Sequence, residues 1–286
     1  MRTLTQKDLY LANRARLQAP LNRDSDVDAF EREWIARRLG ELPELPLPTS
    51  LAELRAALRW QIAAEQNAPQ PEANYVAEQM RSDEFRILIQ EFAIDGLTEA
   101  QVFYYALPRL PLEAQMPLLR IMIDEFGSGN LRRAHTTLYV DLLRELGMST
   151  SLESYLERVD TLSFEFVNLF FWLTLRADDA SYFAGALTYL ETAIPGFFEC
   201  YAQACRRLNV RAHGYYTEHQ HIDGFHAEEG QRLLAAMHTA AVLDAAKACQ
   251  GARLMGYITD MAFRNAVMKA RLARLIEYCK SNDDGR

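Results

Sequence analysis

The chain has 286 residues, of which 49% are hydrophobic and 24% are charged, as in an ordinary globular protein. Its net charge of −8 leaves no excess of Lys and Arg for a phosphate backbone, which argues against nucleic acid as a partner. The most apolar run, FEFVNLFFWLTL at 164–175, is too short to cross a bilayer, and the N-terminus lacks the apolar core of a signal peptide. We therefore expect a cytoplasmic protein without a membrane partner, and reduced cysteines at positions Cys200, Cys205, Cys249 and Cys279.

The hydrophobic pattern predicts an all-α protein, because no stretch shows a sustained period of two. The predicted helices, in chain order, cover 5–18, 26–40, 49–66, 72–93, 98–107, 112–126, 130–147, 150–176, 180–208, 212–241 and 243–280. Pro-rich connectors at 41–50 and 67–72 and two glycines at 126–130 mark breaks, whereas Pro195 should kink a long helix rather than end it. We expect a helical bundle over 71–286, with residues 1–70 forming an N-terminal helical segment packed on it.

Three of the six histidines fall in TEHQHIDGFHAEEG at 217–230. If this stretch is helical, His219, Asp223 and His226 lie within about 60° of one another on one face, while His221 points the other way. Burying such a face is costly unless a positive charge pairs with it, and a divalent metal ion would do so. A solvated polar face is the alternative interpretation.

Further candidate ligands lie upstream. Glu125 ends an apolar helix ten residues before His135, and Glu191 is a lone carboxylate among apolar and aromatic neighbours. Glu99 opens a predicted helix, although Thr98 and Gln101 could place it in a simple capping box. Four carboxylates balance two divalent ions, which favours a dinuclear iron or manganese site over a single zinc. The predicted metal ligands are Glu99, Glu125, His135, Glu191, His219, Asp223 and His226.

At these residues the sequence resembles the haem-oxygenase-like di-iron oxidases and oxygenases. Their late His-x(3)-Asp-x(2)-His pattern is seen here as His219, Asp223 and His226, with Glu191 as the upstream carboxylate. The spacing of Glu99, Glu125 and His135 is similar to that of the N-oxygenating branch, in which Glu125 would be the extra carboxylate ligand. The resemblance covers about residues 80 to 240 and implies a haem-oxygenase-like di-iron domain over 71–286.

The resemblance implies two iron ions that react with O2 through a peroxo-di-iron(III) species and oxygenate the nitrogen of a small amine, amino acid or amino-heterocycle. Oxidative C–C cleavage or decarboxylation of an amino or fatty acid is the alternative reaction. Electrons would come from an external donor such as a reductase or ferredoxin, and a homodimer is left open. A non-catalytic helical binding protein and a cysteine-dependent hydrolase related to thiaminases are the competing classes.

Several other side chains are candidates for the cavity or for orienting the ligands. Imidazole and carboxylate groups next to ligands often hold them in place through hydrogen bonds, and aromatic rings often line substrate cavities. Each of these residues has a plain structural role as its alternative, in the core for the rings and at the surface for the others. The candidates are Glu218, His221, His213, Tyr104, Tyr105, Phe164, Phe171, Trp172 and Tyr215.

Overall fold

A computed structural model describes residues 3–22 and 24–283, without the side chains of 222, 223, 277, 278 and 280–283. Within this part of the chain there are twelve α-helices, four short 3-10 segments and no β-strand. The α-helices are α1 (Gln6–Gln18), α2 (Ser25–Gly40), α3 (Leu51–Asn67), α4 (Pro71–Glu78), α5 (Ser82–Glu91), α6 (Ala93–Gly96), α7 (Leu112–Glu125), α8 (His135–Glu145), α9 (Thr161–Leu175), α10 (Ser181–Arg207), α11 (Gly214–Thr239) and α12 (Ala245–Asp283). The all-α prediction is confirmed.

The long helices agree with the predicted ones, and α10 runs through Pro195 without ending. Three predicted helices differ strongly from the structure, and the helix expected at 130–147 also begins later, at His135. The helix expected at 72–93 is divided among α4, α5 and α6, because the backbone leaves the helical region after Glu78 and Glu84 begins a new helix by accepting a hydrogen bond from the Arg81 amide. The helix expected at 150–176 begins only at Thr161.

The third difference concerns residues 98–107, which contain 3-10 turns rather than an α-helix. Ala100 has a φ of +56°, a left-handed conformation that no α-helix can include. The Thr98 hydroxyl donates to the Ile94 carbonyl oxygen at 2.8 Å, so it closes α6 and forms no capping box with Gln101. Glu99 consequently lies in a tight turn.

The core is built around α9, which is buried on nearly every side and packs against α1, α10 and α12. Helix α10 also packs along α11, and α11 packs along α7 and α8. Where α10 crosses α12, Gly185 and Gly251 allow backbone contact: a Cβ at Gly185 would lie 1.9 Å from the Ala248 carbonyl oxygen. No helix in the described residues is both long and apolar enough to span a membrane.

The N-terminal helices are attached to α9 by buried ionic contacts. The Glu165 carboxylate accepts from the Trp34 indole at 2.8 Å and from the Arg38 guanidinium at 2.7 and 2.8 Å. Arg176 binds the Glu31 carboxylate through two nitrogens and donates to Asn13 Oδ1 at 2.7 Å. In this region, which we call the N-terminal ionic network, the buried carboxylates are held by protein donors.

Candidate metal centre

Glu125 and His135 are brought together by a compact turn between two helices. Glu125 is the last residue of α7 and His135 is the first of α8. Gly127 in the turn has a φ of +62°, and a Cβ there would lie 2.5 Å from the backbone carbon of Arg133, so only glycine fits. As a result, His135 Nδ1 lies 2.8 Å from Glu125 Oε2.

Glu99 contacts two residues of α11 within the same cluster. Its carboxylate Oε1 lies 3.2 Å from His219 Nε2 and accepts a hydrogen bond from the Tyr215 hydroxyl at 3.0 Å. His219 Nδ1 lies 2.6 Å from the Tyr215 carbonyl oxygen, which fixes the plane of the imidazole ring. The His135 and His219 rings have their centroids 4.1 Å apart.

Glu191 and His226 extend the cluster along α10 and α11. His226 Nδ1 lies 3.1 Å from Glu191 Oε2 and 3.8 Å from Glu125 Oε1. Glu125 therefore lies between two groups, with one carboxylate oxygen near His135 and the other near His226. The backbone of Asp223 is part of α11, but its side chain lies outside the described residues, so its assignment as a ligand stays a prediction.

The cluster has the composition and the unsatisfied atoms of a metal site. Ligand atoms of Glu99, Glu125, His135 and His219 all lie within 4.8 Å of one another. Among the described residues, His135 Nε2 and Glu99 Oε2 are buried and have no hydrogen-bond partner. Buried polar atoms without partners are rare in folded proteins and cost about 1–3 kcal/mol each. Imidazole nitrogens and carboxylate oxygens suit iron, so the residues present fit an iron site.

The titration behaviour of the cluster reflects its concentration of negative charge. Burial opposes a charge on His219, yet the hydrogen bond and charge of Glu99, together with Glu125, raise its pKa to about 10. Burial would raise the pKa of Glu125, but the neighbouring charges of His135, His219 and His226 keep it below its usual range. In the bare protein the protonated His219 thus acts as a counter-ion, a role that a bound cation would take over.

An apolar cavity opens beside the cluster. Glu99, Glu125, Glu191 and His219 line one part of it, and Tyr215 joins them through its hydrogen bond to Glu99. The remaining walls are mainly aromatic and aliphatic, including the side chains of Phe92, Phe103, Phe166, Phe170, Leu190, Ile194, Phe197 and Phe198. The ligand cluster is therefore next to a space suited to an apolar molecule.

The structure does not bring the other proposed residues to this cavity. Trp172 faces α10, with its ring centroid 5.2 Å from that of Tyr182, and Tyr104 is exposed and stacks on Phe126. Tyr105, Phe164 and Phe171 also lie outside its lining.

The polar candidates at the start of α11 are also away from the cavity. His221 is exposed, as expected for the opposite helix face, and Glu218 forms an ion pair with Arg133 at 3.0 Å. His213 precedes α11 and does not line the cavity.

Two carboxylates next to the cluster were missed at the sequence level. Asp95 lines the cavity, where burial and the charge of Glu99 raise its pKa well above the usual range. Its signal was its position four residues before Glu99, a helical spacing. Asp124 Oδ2 lies 3.5 Å from His226 Nε2, but its side chain is 31% exposed.

Comparison with known proteins identifies a family of iron-containing enzymes. The sequence profile of a family described as iron-containing redox enzymes matches residues 86–257, more than half of the chain, and that range includes every predicted ligand. A nitrosourea synthase from Streptomyces achromogenes subsp. streptozoticus is 29% identical over 150 residues, which cover 49% of this chain and 30% of that relative. The match thus spans less than a third of the relative's length.

Proposed function

The chain belongs to the family of iron-containing redox enzymes, and we propose that it is a non-haem di-iron oxygenase that uses O2 to oxygenate the nitrogen of a small substrate. The observation that carries the proposal is the buried cluster of Glu99, Glu125, His135 and His219 with ligand atoms within 4.8 Å of one another. Its unsatisfied His135 Nε2 and Glu99 Oε2 point to an occupant that the protein itself does not supply.

The proposed ligands for two iron ions are Glu99, Glu125, His135, Glu191, His219, Asp223 and His226. Glu125 would hold iron together with His135 and His226, because one of its carboxylate oxygens faces each of these imidazoles. Four carboxylates would balance the charge of two ferrous ions. When bound, the ions supply the reduction of O2, with electrons delivered from an external reductase or ferredoxin.

The chain's own residues prepare this chemistry. Tyr215 holds His219 through its carbonyl oxygen and Glu99 through its hydroxyl, so one residue orients two ligands. The aromatic walls keep water away from the cluster, which strengthens the interactions between charges inside it. The cavity also offers a desolvated place in which a substrate amine can lose its charge, since nitrogen reacts in its neutral form.

The choice of N-oxygenation is supported by the similarity to a nitrosourea synthase, whose name implies chemistry at nitrogen. Oxidative C–C cleavage or decarboxylation of an amino or fatty acid uses the same ligands and is distinguished by its products. The test measures O2 consumption and products with anaerobically iron-loaded protein. We expect an added oxygen atom on the amine nitrogen, whereas loss of CO2 or a fragmented carbon chain would contradict N-oxygenation.

The iron chemistry itself is tested by stopped-flow absorbance. Protein loaded anaerobically with two equivalents of Fe2+ is mixed with oxygenated buffer, and a transient visible band that needs both equivalents is expected. His226→Ala should abolish the band, because His226 is fully buried within the cluster. His238→Ala is the matched control, since His238 is exposed near the end of the same helix. Oxidation without a transient, or with equal behaviour of both variants, would contradict the proposal.

The competing classes make different predictions. A non-catalytic binding protein would bind no iron and would be indifferent to His226→Ala. A cysteine-dependent hydrolase needs an activated thiol in the cavity, but burial raises the pKa of Cys200 and of Cys205 to about 12. No cysteine lines the cavity among the described residues.

A further inference from the structure

We infer that Tyr201 is a substrate-binding residue in the part of the cavity away from the ligand cluster, where its hydroxyl donates a hydrogen bond to the substrate. The substrate accordingly carries an acceptor oxygen, such as that of a carbonyl group, on the part of its body farthest from the reacting nitrogen. This inference rests on the proposed function and deepens it, because it adds a second polar group by which the cavity recognises the substrate. It can be tested by binding, apart from the reaction.

The tyrosines that line the cavity differ in what their hydroxyl groups bind. The Tyr139 hydroxyl donates to the Ile89 carbonyl oxygen at 2.6 Å. The Tyr215 hydroxyl donates to the Glu99 carboxylate at 3.0 Å. The Tyr201 hydroxyl is buried and has no hydrogen-bond partner among the described residues, although Tyr201 lines the same cavity. Since buried polar groups without a partner are rare in folded proteins, this hydroxyl indicates a partner from outside the chain.

The ring of Tyr201 is held in place by its aromatic neighbours. It stacks on the ring of Tyr216, with the two centroids 4.8 Å apart. The rings of Phe92 and Phe198 contact it edge-on, with centroid distances of 6.4 and 5.9 Å. Because rings on several sides fix its plane, the hydroxyl has a defined position in the cavity wall before a ligand binds, which lowers the entropic cost of binding.

Tyr201 lies apart from the ligand cluster. It follows the proposed ligand Glu191 by ten residues on α10, which corresponds to about 15 Å along a helix axis. Burial and the charge of Glu99 raise the pKa of Tyr215, whereas the pKa of Tyr201 is raised by burial and by neighbours that are not carboxylates. The group that binds to Tyr201 is therefore not the group that reaches the cluster, and the substrate has two polar groups.

The chemistry of the Tyr201 hydroxyl selects an acceptor. Burial raises its pKa well above the usual range, so the group stays protonated and neutral. A protonated phenol has one O–H to donate, and an acceptor oxygen supplies the partner that this O–H lacks. Aromatic and aliphatic side chains form most of the remaining wall, so the body that joins the two polar groups is apolar.

The binding experiment uses two amines that differ only in the acceptor. These are 2-(4-acetylphenyl)ethylamine and 2-(4-isopropenylphenyl)ethylamine, in which a planar C=CH2 group replaces C=O. Iron-loaded protein is titrated anaerobically by calorimetry with this pair and with the homologous pairs that have one methylene fewer or one more before the nitrogen. For the length that binds best, the preference for the acetyl compound over its partner should fall about three- to tenfold in Tyr201→Phe. Comparing the two ratios cancels the greater hydrophobicity of the isopropenyl group.

A second measurement tests the hydroxyl without a ligand. In the metal-free protein, Tyr201→Phe removes a buried group that has no partner, so the midpoint of urea unfolding should not fall. Tyr139→Phe is the matched control in both experiments. It leaves the Ile89 carbonyl oxygen without its donor and should lower the midpoint, but it should keep the preference for the acetyl compound.

Three outcomes would overturn the inference. The first is a preference for the acetyl compound that is the same in Tyr201→Phe and in the unaltered protein. The second is that no compound of any length binds at millimolar concentration. The third is that Tyr201→Phe lowers the urea midpoint as much as Tyr139→Phe does, because the Tyr201 hydroxyl would then have a partner within the protein.

Failure of this inference is separable from failure of the proposed function. A preference that depends on Tyr201, without a transient after mixing with O2, would keep the role of Tyr201 and remove the oxygenase. A transient together with a preference that does not depend on Tyr201 would keep the oxygenase and remove the role of Tyr201.

Discussion

Two regions of the molecule hold carboxylates that are shielded from solvent, and they differ in the partners that they give to these carboxylates. In the N-terminal ionic network, Glu165 and Glu31 are held by the guanidinium groups of Arg38 and Arg176. In the cluster, Glu99 and Glu125 face histidines, and His135 Nε2 has no hydrogen-bond partner within the described residues. In the network each of these carboxylates has a guanidinium partner, whereas the cluster contains buried polar atoms without a partner, as is expected of a metal site.

The difference shows that burial of charge alone does not identify a functional site. Removing one partner of a buried ion pair leaves an uncompensated charge and typically costs about 3–5 kcal/mol, so such pairs are needed for the stability of the fold. A cluster whose buried polar atoms lack partners lowers the stability of the fold, and a bound ligand that pairs with these atoms removes this penalty. The unsatisfied atoms, rather than the carboxylates as such, separate the metal centre from the network.

The largest expected effect comes from removing a ligand. His135→Gln should lower iron affinity by more than the roughly 10- to 100-fold that is typical for losing a partner of a ligand, because the ligand itself is lost. The metal-free protein should lose some stability as well, because His135 Nδ1 lies 2.8 Å from the buried Glu125 carboxylate. Iron content after desalting and urea unfolding of the metal-free form measure the two effects. His238→Gln, at an exposed position of α11, is the control and should retain iron.

The opposite outcome is expected in the ionic network. Arg176→Met leaves Glu31 buried and uncompensated, which should reduce the free energy of unfolding by about 3–5 kcal/mol. The iron content of the folded fraction should be unchanged, because α2 and α9 supply no proposed ligand. Arg144→Met is the matched control, as Arg144 pairs with Asp141 at the surface. Equal destabilisation by both variants would contradict the distinction between the two regions.

A smaller effect appears in the pH dependence of stability. The pKa of His219 is about 10 in the metal-free fold and about 6.5 when unfolded, so the protonated form stabilises the fold. This contribution is complete below pH 6.5 and is lost as the pH rises through 10, on the order of a few kcal/mol. Urea unfolding from pH 6 to 10 should therefore show a decline in the metal-free protein that His219→Gln lacks. Parallel curves for the two proteins would refute this account.

Much of the fold follows from local patterns. Helices α10 and α11 were predicted to within a few residues because their apolar positions recur at helical spacing and because Pro195 can be accommodated inside a long helix. The left-handed conformation of Ala100 and the division of the helix at 72–93 could not be predicted, because tertiary contacts override the helix propensity of these residues.

The candidate site was predicted in part for the same reason. Glu99, Glu125, His135 and His219 were singled out by residue type and spacing, and they do converge. Asp95 was missed because a carboxylate near a helix end is usually solvated. Trp172 and Tyr104 were expected near the cavity. Helical spacing predicts only that an aromatic ring is packed, and it does not predict which helix the ring contacts.

The crossing of α10 and α12 influences the position of Glu191 in the cluster. Gly185 approaches the Ala248 carbonyl oxygen so closely that any side chain there would push the two helices apart. Glu191 follows Gly185 by less than two turns on α10, and its carboxylate lies 3.1 Å from His226 on α11. A side chain at Gly185 would therefore be expected to displace Glu191 relative to His226, so a residue without any functional group helps to position the cluster.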